Sequence, residues 1–474
     1  MKTDVIEKIK HIETTYPVEN IEYAGIKLWP FFRNSIFTLY YYSDQDVTTP
    51  VVNKHSKIKR GFKALKLTSF SAMFKRDAAI IFTDDVGMKK HNGMYIDRIM
   101  QVFFDLETKS LPIIIKLFPD NVISVAKYVH SDFIAAIIMA FSFFFPIKQR
   151  KLVGVSVLQN IIDDLSIEFA YRKNIKLIIA ALKFYNIYFA VIRPSKIYID
   201  CYYDILRMPA YYIAKKRHIP TIEMQHGVIN DQHIAYISFK SFDSNPYPDY
   251  LLVFGDRFKL DVSENIYRKD SVFAVGSYYI DLMRQEADTN KRLFDKKYGS
   301  LKARLIITVA SQYDMDKEIL TFVEQVAKLD SRLFFIFIPR FVKDYHRSYK
   351  NDNITIETEL DVYQCMQNSH VTSAVLSTCA IESLAFGTPV VLMDIDGVAR
   401  FMYGSFFEGI QSVLYASRPD EFIEKVNKAV HFDRNVVQEE GNLFFADNYE
   451  ERLKKALFEI EKNYAEKNRI EGIL

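Results

Sequence analysis

From Asp77 onward, short apolar runs recur along the chain, each closed by polar residues or glycine. Ala78-Ala79-Ile80-Ile81-Phe82-Thr83 ends in Asp84-Asp85-Val86-Gly87, and KIYID (196–200) and TIEM (221–224) follow the same rule. So do YLLVF (250–254), VFAV (272–275), RLIITVA (304–310), LFFIFI (333–338) and the runs at 371–376 and 389–393. Continuous rather than alternating apolarity is the pattern of a strand covered on both faces, as in a parallel sheet. Helical composition fills the intervals, as at 95–106, 175–189 and 209–217, where Pro209 suits a first turn. Strand, helix, strand over 193–227 and again over 371–393 reads as two βαβ units, which require parallel pairing and a right-handed crossover. The pattern predicts an α/β chain of two Rossmann-like doubly wound domains. Their boundaries fall at 76–250 and 251–445, with a helical extension over 1–75 and a charged C-terminal helix over 446–474. Such sheets bind ligands outside the carboxyl ends of their strands, and the cleft between two of them is the default site.

Composition narrows this picture only slightly. A chain of 474 residues is too long for one ordinary core. Sixty-two basic against 59 acidic residues is too balanced for a general nucleic-acid binder. Cys201, Cys365 and Cys379 form no metal-ligand or redox spacing, which points to a reducing, cytoplasmic compartment. The opening MKTDVIEKIKHIETTYP has no apolar signal core, so secretion is not expected. The apolar stretch 133–147 falls short of the roughly 20 residues a bilayer core requires, and a buried helix is the expectation there. One charge run stands apart: Lys54, Lys57, Lys59, Arg60, Lys63, Lys66, Lys75 and Arg76 occur without an acid and are interleaved with Ile58, Phe62, Leu65 and Leu67. Such a segment suits the anionic inner face of a membrane, and a solvated connector is the plainer alternative.

The most informative stretch is STCAIESLAFGTPVV, 377–391. A strand ends at Leu376, Ser377-Thr378 opens a helix, Glu382 lies one turn in, Gly387 ends it and Pro389 starts the next strand. Amides and the dipole at a helix opening favour a phosphate. The stretch resembles the donor-binding segment of GT-B glycosyltransferases, S-T-x-x-x-E-x-x-x-x-G-x-P-V. By that resemblance Ser377, Thr378 and Glu382 hold the diphosphate and ribose of a nucleotide sugar. RPSKIYID, AYYIAKKRHIPTIEMQHG, YPDYLLVFGDRFK and IITVASQYDMD follow the same plan in order, the last putting Ser311 and Gln312 at the donor. With IKLWPFFR and GMYIDR, the chain is most similar to bacterial transferases of capsule and other surface polysaccharides, including lipopolysaccharide. One departure stands out. Relatives often carry Lys/Arg-x-His-Pro after the second strand of the C-terminal domain, whereas this chain has Ile338-Pro339-Arg340-Phe341-Val342-Lys343, leaving Arg340 or Lys343 to supply the charge.

The acceptor's general base has three candidates. Asp84 and Asp85 end the first strand, and an adjacent carboxylate pair raises the pKa of one member. An Asp-Asp turn is the structural alternative. His226, in Gln225-His226-Gly227, ends another strand, with Asn230 just beyond; a histidine opening a turn is the plainer reading. His233 makes no metal pair with His226, and no metal or cofactor is expected beyond a nucleotide-sugar co-substrate. The resemblance implies an inverting transfer from that donor to a hydroxyl of a glycan or lipid-linked glycan. A teichoic-acid type polyol-phosphate transferase, a sugar-nucleotide 2-epimerase and a non-catalytic scaffold are the alternatives.

Overall fold

The structure, a computed structural model, describes residues 4–43, 64–84, 87–91, 93–107, 109–115, 127–144, 146–242, 245–301, 304–312, 315–340 and 351–470. Asp85, Lys343 and 54–63 of the basic segment lie outside the described residues. The chain divides into two compact units. One comprises Met1–Val253, Lys259–Phe273 and Lys454–Leu474, the other Phe254–Phe258 and Ala274–Leu453.

The sheet of the first unit contains β1 (Ala79–Asp84), β2 (Ser110–Ile115), β3 (Val129–His130), β4 (Ile197–Ile199), β5 (Thr221–Met224), β6 (Tyr250–Val253) and, at its edge, β7 (Val272–Ala274). Its order is β3-β2-β1-β4-β5-β6-β7. The pairs from β3 across to β6 are parallel, with Ala79 opposite Ser110 and Phe82 opposite Ile199. The second unit repeats the design with β8 (Leu305–Ala310), β9 (Leu333–Ile338), β10 (Ile354–Ile356), β11 (Val371–Ala374), β12 (Val390–Met393) and β13 (Val413–Ala416). There the order is β10-β9-β8-β11-β12-β13, parallel throughout. Both sheets grow outward in two directions from their first strand, so each has one reversal, between β1 and β4 and between β8 and β11. The central strands are buried along their whole length, as continuous apolarity requires. Two Rossmann-like doubly wound units are what the chain forms.

Three local expectations are corrected. Residues 95–106 are not one helix: Met94–Asp97 pairs antiparallel with Met88–His91, and only Gln101–Leu106 is helical. Gly93, at φ +83°, turns the hairpin, and Asp97 Oδ1 accepts from the amides of Ile99 and Met100 as the chain bends into the helix. Nor do the first residues form a separate extension. Helices α1 (Val5–Thr15) and α2 (Trp29–Tyr41) belong to the first unit, and Glu13 and Arg33 form an ion pair of 2.8 Å at its interior. Glu13 also accepts from Trp29 Nε1, Ser238 Oγ and Phe239 N, while Arg33 donates to the carbonyls of Ile234 and Ile237.

The third correction concerns the apolar stretch 133–147. Helix α3 (Ser131–Phe144) buries Ile134, Ile138 and Ser142 but leaves Phe143 and Phe144 each 78% exposed. It packs against α4 (Tyr171–Ile192), the expected 175–189 helix in longer form, which is long and apolar enough to cross a membrane but is mostly buried. The C-terminal helix Tyr449–Ile470 groups with the first unit from Lys454 on, where Glu461 meets Lys196 at 2.9 Å.

Removing one member of a buried, fully hydrogen-bonded pair strands the other charge, so Glu13→Ala should cost about 3–5 kcal/mol of stability. Denaturant unfolding measures it, and replacing Arg33 by Met in the same chain should recover part of the loss.

Candidate functional site

At the reversal in the second sheet the loops after β8 and β11 leave in opposite directions at the carboxyl edge, the place where such sheets bind ligands. Gln312 spans it: its Oε1 accepts from Leu376 N at 3.1 Å. Beside it Ser311 is buried, and its hydroxyl has no hydrogen-bond partner among the described residues. Across the reversal, Ser377 caps helix α5 (Thr378–Leu384), its Oγ accepting from Cys379 N at 3.3 Å. Ser377 and Thr378 remain half-buried, whereas Glu382 is only 6% exposed. Tyr403 lies close enough to Cys379 and Glu382 for their charges to raise its pKa, although its burial is the larger cause. The sequence anticipated a helix dipole here. With seven residues, α5 carries little of one, and the capping hydroxyl and individual amides are what the opening offers.

Other parts of the 377–391 stretch serve the backbone. Gly387 has φ +70°, and a Cβ there would stand 2.5 Å from the Arg434 carbonyl. Thr388 Oγ1 donates to the Met366 carbonyl at 2.9 Å, and Ser383 Oγ donates to the Thr388 carbonyl at 2.9 Å. Arg340 follows β9 and is exposed. A cation that the sequence reading missed stands at the end of β12. Arg400 is 57% exposed and bonds the buried Asp394 at 3.0 Å, with its guanidinium over the Tyr415 ring at 4.8 Å. Only the position of Asp394 just after a strand hinted at it.

In the first unit, the corresponding reversal gathers charge. Arg207 donates to Asp200 Oδ1 at 2.7 Å and to the Thr83 carbonyl at 3.0 Å, bridging β4 and β1. Thr83 Oγ1 in turn donates to Asp97. Burial raises the Asp200 carboxyl to about 6; Arg207 opposes this, while Asp97 and Asp84 add to it. Asp84, half-buried at the end of β1, is therefore one of two carboxylates in electrostatic reach of Asp200.

His226 belongs to the same neighbourhood. Burial lowers its pKa to about 4; the Asp200 backbone and Asp84 oppose the effect, and Arg98 and Arg207 add to it. Its Nε2 shares a hydrogen bond of 3.0 Å with Tyr203 OH, while Nδ1 makes no hydrogen bond of ordinary geometry. Near neutral pH the ring is an uncharged imidazole able to take a proton. The structure thus brings Asp84 and His226 together, though they lie far apart in sequence.

The residues flanking His226 have structural tasks. Gln225 Nε2 donates to the Gly227 carbonyl at 2.7 Å, and the buried Asn230 accepts from Gln232 N at 3.2 Å. His233 stacks edge-on against Tyr236, with a pKa depressed to about 3 chiefly by burial. Asp84 and His226 were singled out from sequence, whereas Asp97, Arg207 and Tyr203 were not.

No family model matches the sequence, and no curated protein matches it. Among solved structures, the chain is similar to the UDP-GlcNAc 2-epimerase of Neisseria meningitidis, bound to UDP-GlcNAc, at 11% identity and a TM-score of 0.47, covering 80% of this chain and 100% of that one. It is similar to the wall teichoic acid polymerase TagF at 11% identity and a TM-score of 0.46, covering 88% and 99%. The UDP-N-acetylglucosamine 2-epimerase of Rickettsia bellii gives 14% identity and a TM-score of 0.47, covering 83% and 99%. Likenesses this distant assign no activity to the chain.

The histidines set an acid limit. In the unfolded chain each ionises near 6.5, above the folded values of about 4 and about 3, so the unfolded state binds more protons between those limits. Stability should therefore fall as pH drops from 6.5 towards 4, by roughly 2 kcal/mol given the partial exposure of both rings. His233→Asn keeps the acceptor that Ala235 N uses and removes one titrating group, so denaturant midpoints against pH should flatten.

Proposed function

We propose that the chain is a GT-B glycosyltransferase that moves a sugar from a nucleotide-sugar donor to a hydroxyl of a growing bacterial surface glycan, with inversion at the anomeric carbon. The observation that carries the reading is the second unit's reversal, where the loop of Ser311 and Gln312 meets the helix opening at Ser377 and Thr378, with Glu382 one turn on. The motif resemblance, the paired doubly wound units and the charged reversal of the first unit support it. The donor's diphosphate takes hydrogen bonds from the hydroxyls and amides around Ser377, and Arg400 or Arg340 offsets its charge without a metal ion. Glu382 accepts from a ribose hydroxyl. A base drawn from Asp84, Asp85 and His226 removes the acceptor proton as the acceptor oxygen attacks the anomeric carbon and the nucleoside diphosphate leaves. His226 suits the role as an uncharged imidazole held by Tyr203.

Titration calorimetry against a panel of nucleotides and nucleotide sugars tests the donor assignment. One nucleotide class should bind, and Glu382→Gln should weaken it at least tenfold in a chain that still unfolds cooperatively. Wild-type affinity in that variant would sink the donor site, and absence of any nucleotide binding would leave the scaffold reading. His226→Ala should retain donor affinity while turnover falls about 100-fold or more, the scale of general-base loss. Release of a free or nucleotide-linked epimer without an acceptor would overturn the transfer reaction in favour of epimerisation.

A further inference from the structure

An exposed apolar surface of the first unit lies at the end of α3. Phe143 and Phe144 are each 78% exposed, and Met139, one turn before, is 50% exposed. Two adjacent phenylalanine rings facing solvent at the end of a helix that holds one acid and no base is a costly arrangement for a surface that stays in water. Behind Phe144 a groove of about 430 Å³ opens against Ile179 and Leu182 of α4.

Lysines cluster around these rings. Lys148, Lys151 and Lys183 line the groove, no acidic side chain lines it among the described residues, and Lys176 stands over the Phe143 ring at 5.2 Å. Helix α4 contains no Asp or Glu, and the one acid of α3, Asp132, lies at its opposite end. We propose that this face seats on an anionic lipid bilayer. Phe143 and Phe144 enter the boundary between headgroups and acyl chains, while Lys148, Lys151, Lys176 and Lys183 meet lipid phosphates. Aromatic rings flanked by lysines, whose aliphatic stems lie along apolar surface, are the composition an interfacial anchor requires. A second copy of the chain is the weaker occupant, because a twofold contact through this face would set lysine against lysine. None of these residues belongs to the basic segment ending at Arg76, and nothing in the inference depends on the proposed donor site.

Cosedimentation of the full chain with vesicles tests it. Vesicles of phosphatidylglycerol and phosphatidylcholine in equal parts should bind the protein, pure phosphatidylcholine at least tenfold less, and added salt should weaken binding. Phe143→Ser with Phe144→Ser, and separately Lys148→Glu with Lys151→Glu and Lys183→Glu, should each reduce binding at least tenfold. Thermal unfolding checks that both variants remain folded, and the lysine variant, which changes only exposed side chains, decides alone if the phenylalanine variant does not fold. Wild-type binding by the folded variants would overturn the proposal and leave the basic segment as the anchor. Equal binding to neutral vesicles would overturn it too, as would lipid-free dimerisation that the phenylalanine variant abolishes.

Discussion

Parallel pairing outward in both directions from one central strand is the constraint on which the remaining structure depends. Each parallel neighbour requires a crossover, so helices cover the faces and the strands become apolar throughout. The reversal is the one place where successive connections leave in opposite directions, and it falls between β8 and β11 in one unit and between β1 and β4 in the other. Loops that diverge leave backbone and side chains unpacked at the carboxyl edge. Gln312, reaching from one loop to the Leu376 amide of the other, fixes the width of that gap in the second unit. Arg207 does the equivalent in the first, tying Asp200 to the Thr83 carbonyl.

The two reversals are stabilised differently. In the second unit the support serves mostly the backbone: a capping serine, a left-handed glycine, and one serine and one threonine hydroxyl returned to carbonyls. Beneath the first lies a buried polar network. Glu223 of β5 is fully buried and accepts from Tyr202 N at 3.2 Å, from Tyr236 OH at 2.9 Å and from Tyr267 OH, while burial pushes its carboxyl up to about 8. Tyr202 OH donates to the Ala235 carbonyl. The loop from Gln225 to Tyr236 is thus anchored from beneath at its far end, which holds His226 without packing its ring completely. Removing any one of these partners exposes the others to the full cost of desolvation, so the network is cooperative by construction.

Continuous apolar runs made most of the strands legible, because burial on both faces leaves no other composition available, whereas the outer strands β2, β3, β10 and β13 were not read from the sequence. The βαβ grammar then determined their direction. What escaped the sequence was any contact made across long separations. Glu13 meets Arg33 and Ser238, and Thr83 meets Asp97 and Arg207, at spacings no periodicity encodes. The hairpin at Met88–Asp97 escaped for a local reason: Tyr95, Ile96 and the following residues suit a helix by composition, and Gly93 with the Asp97 carboxylate overrides them. In the candidate site, the strand-end residues were visible and their second partners were not. Asp200, Asp394 and His226 sit where polar residues follow strands, whereas Arg207, Arg400 and Tyr203 reach them from helices and loops.

The stretch from Ser377 to Val391 shows how far a motif can be read as chemistry. Gly387 is required by its backbone angle and by the Arg434 carbonyl, and Ser383 and Thr388 are required by the turn they close. Ser377 would be selected as a cap even in a chain with no ligand. Glu382 differs from these. A helix of seven residues needs no acid at its fifth position, and placing a carboxylate at 6% exposure carries a desolvation cost that an alanine there would avoid. Packing therefore accounts for most of the motif without reference to function, and the nucleotide contact proposed for Glu382 is the part that a binding measurement can separate from packing.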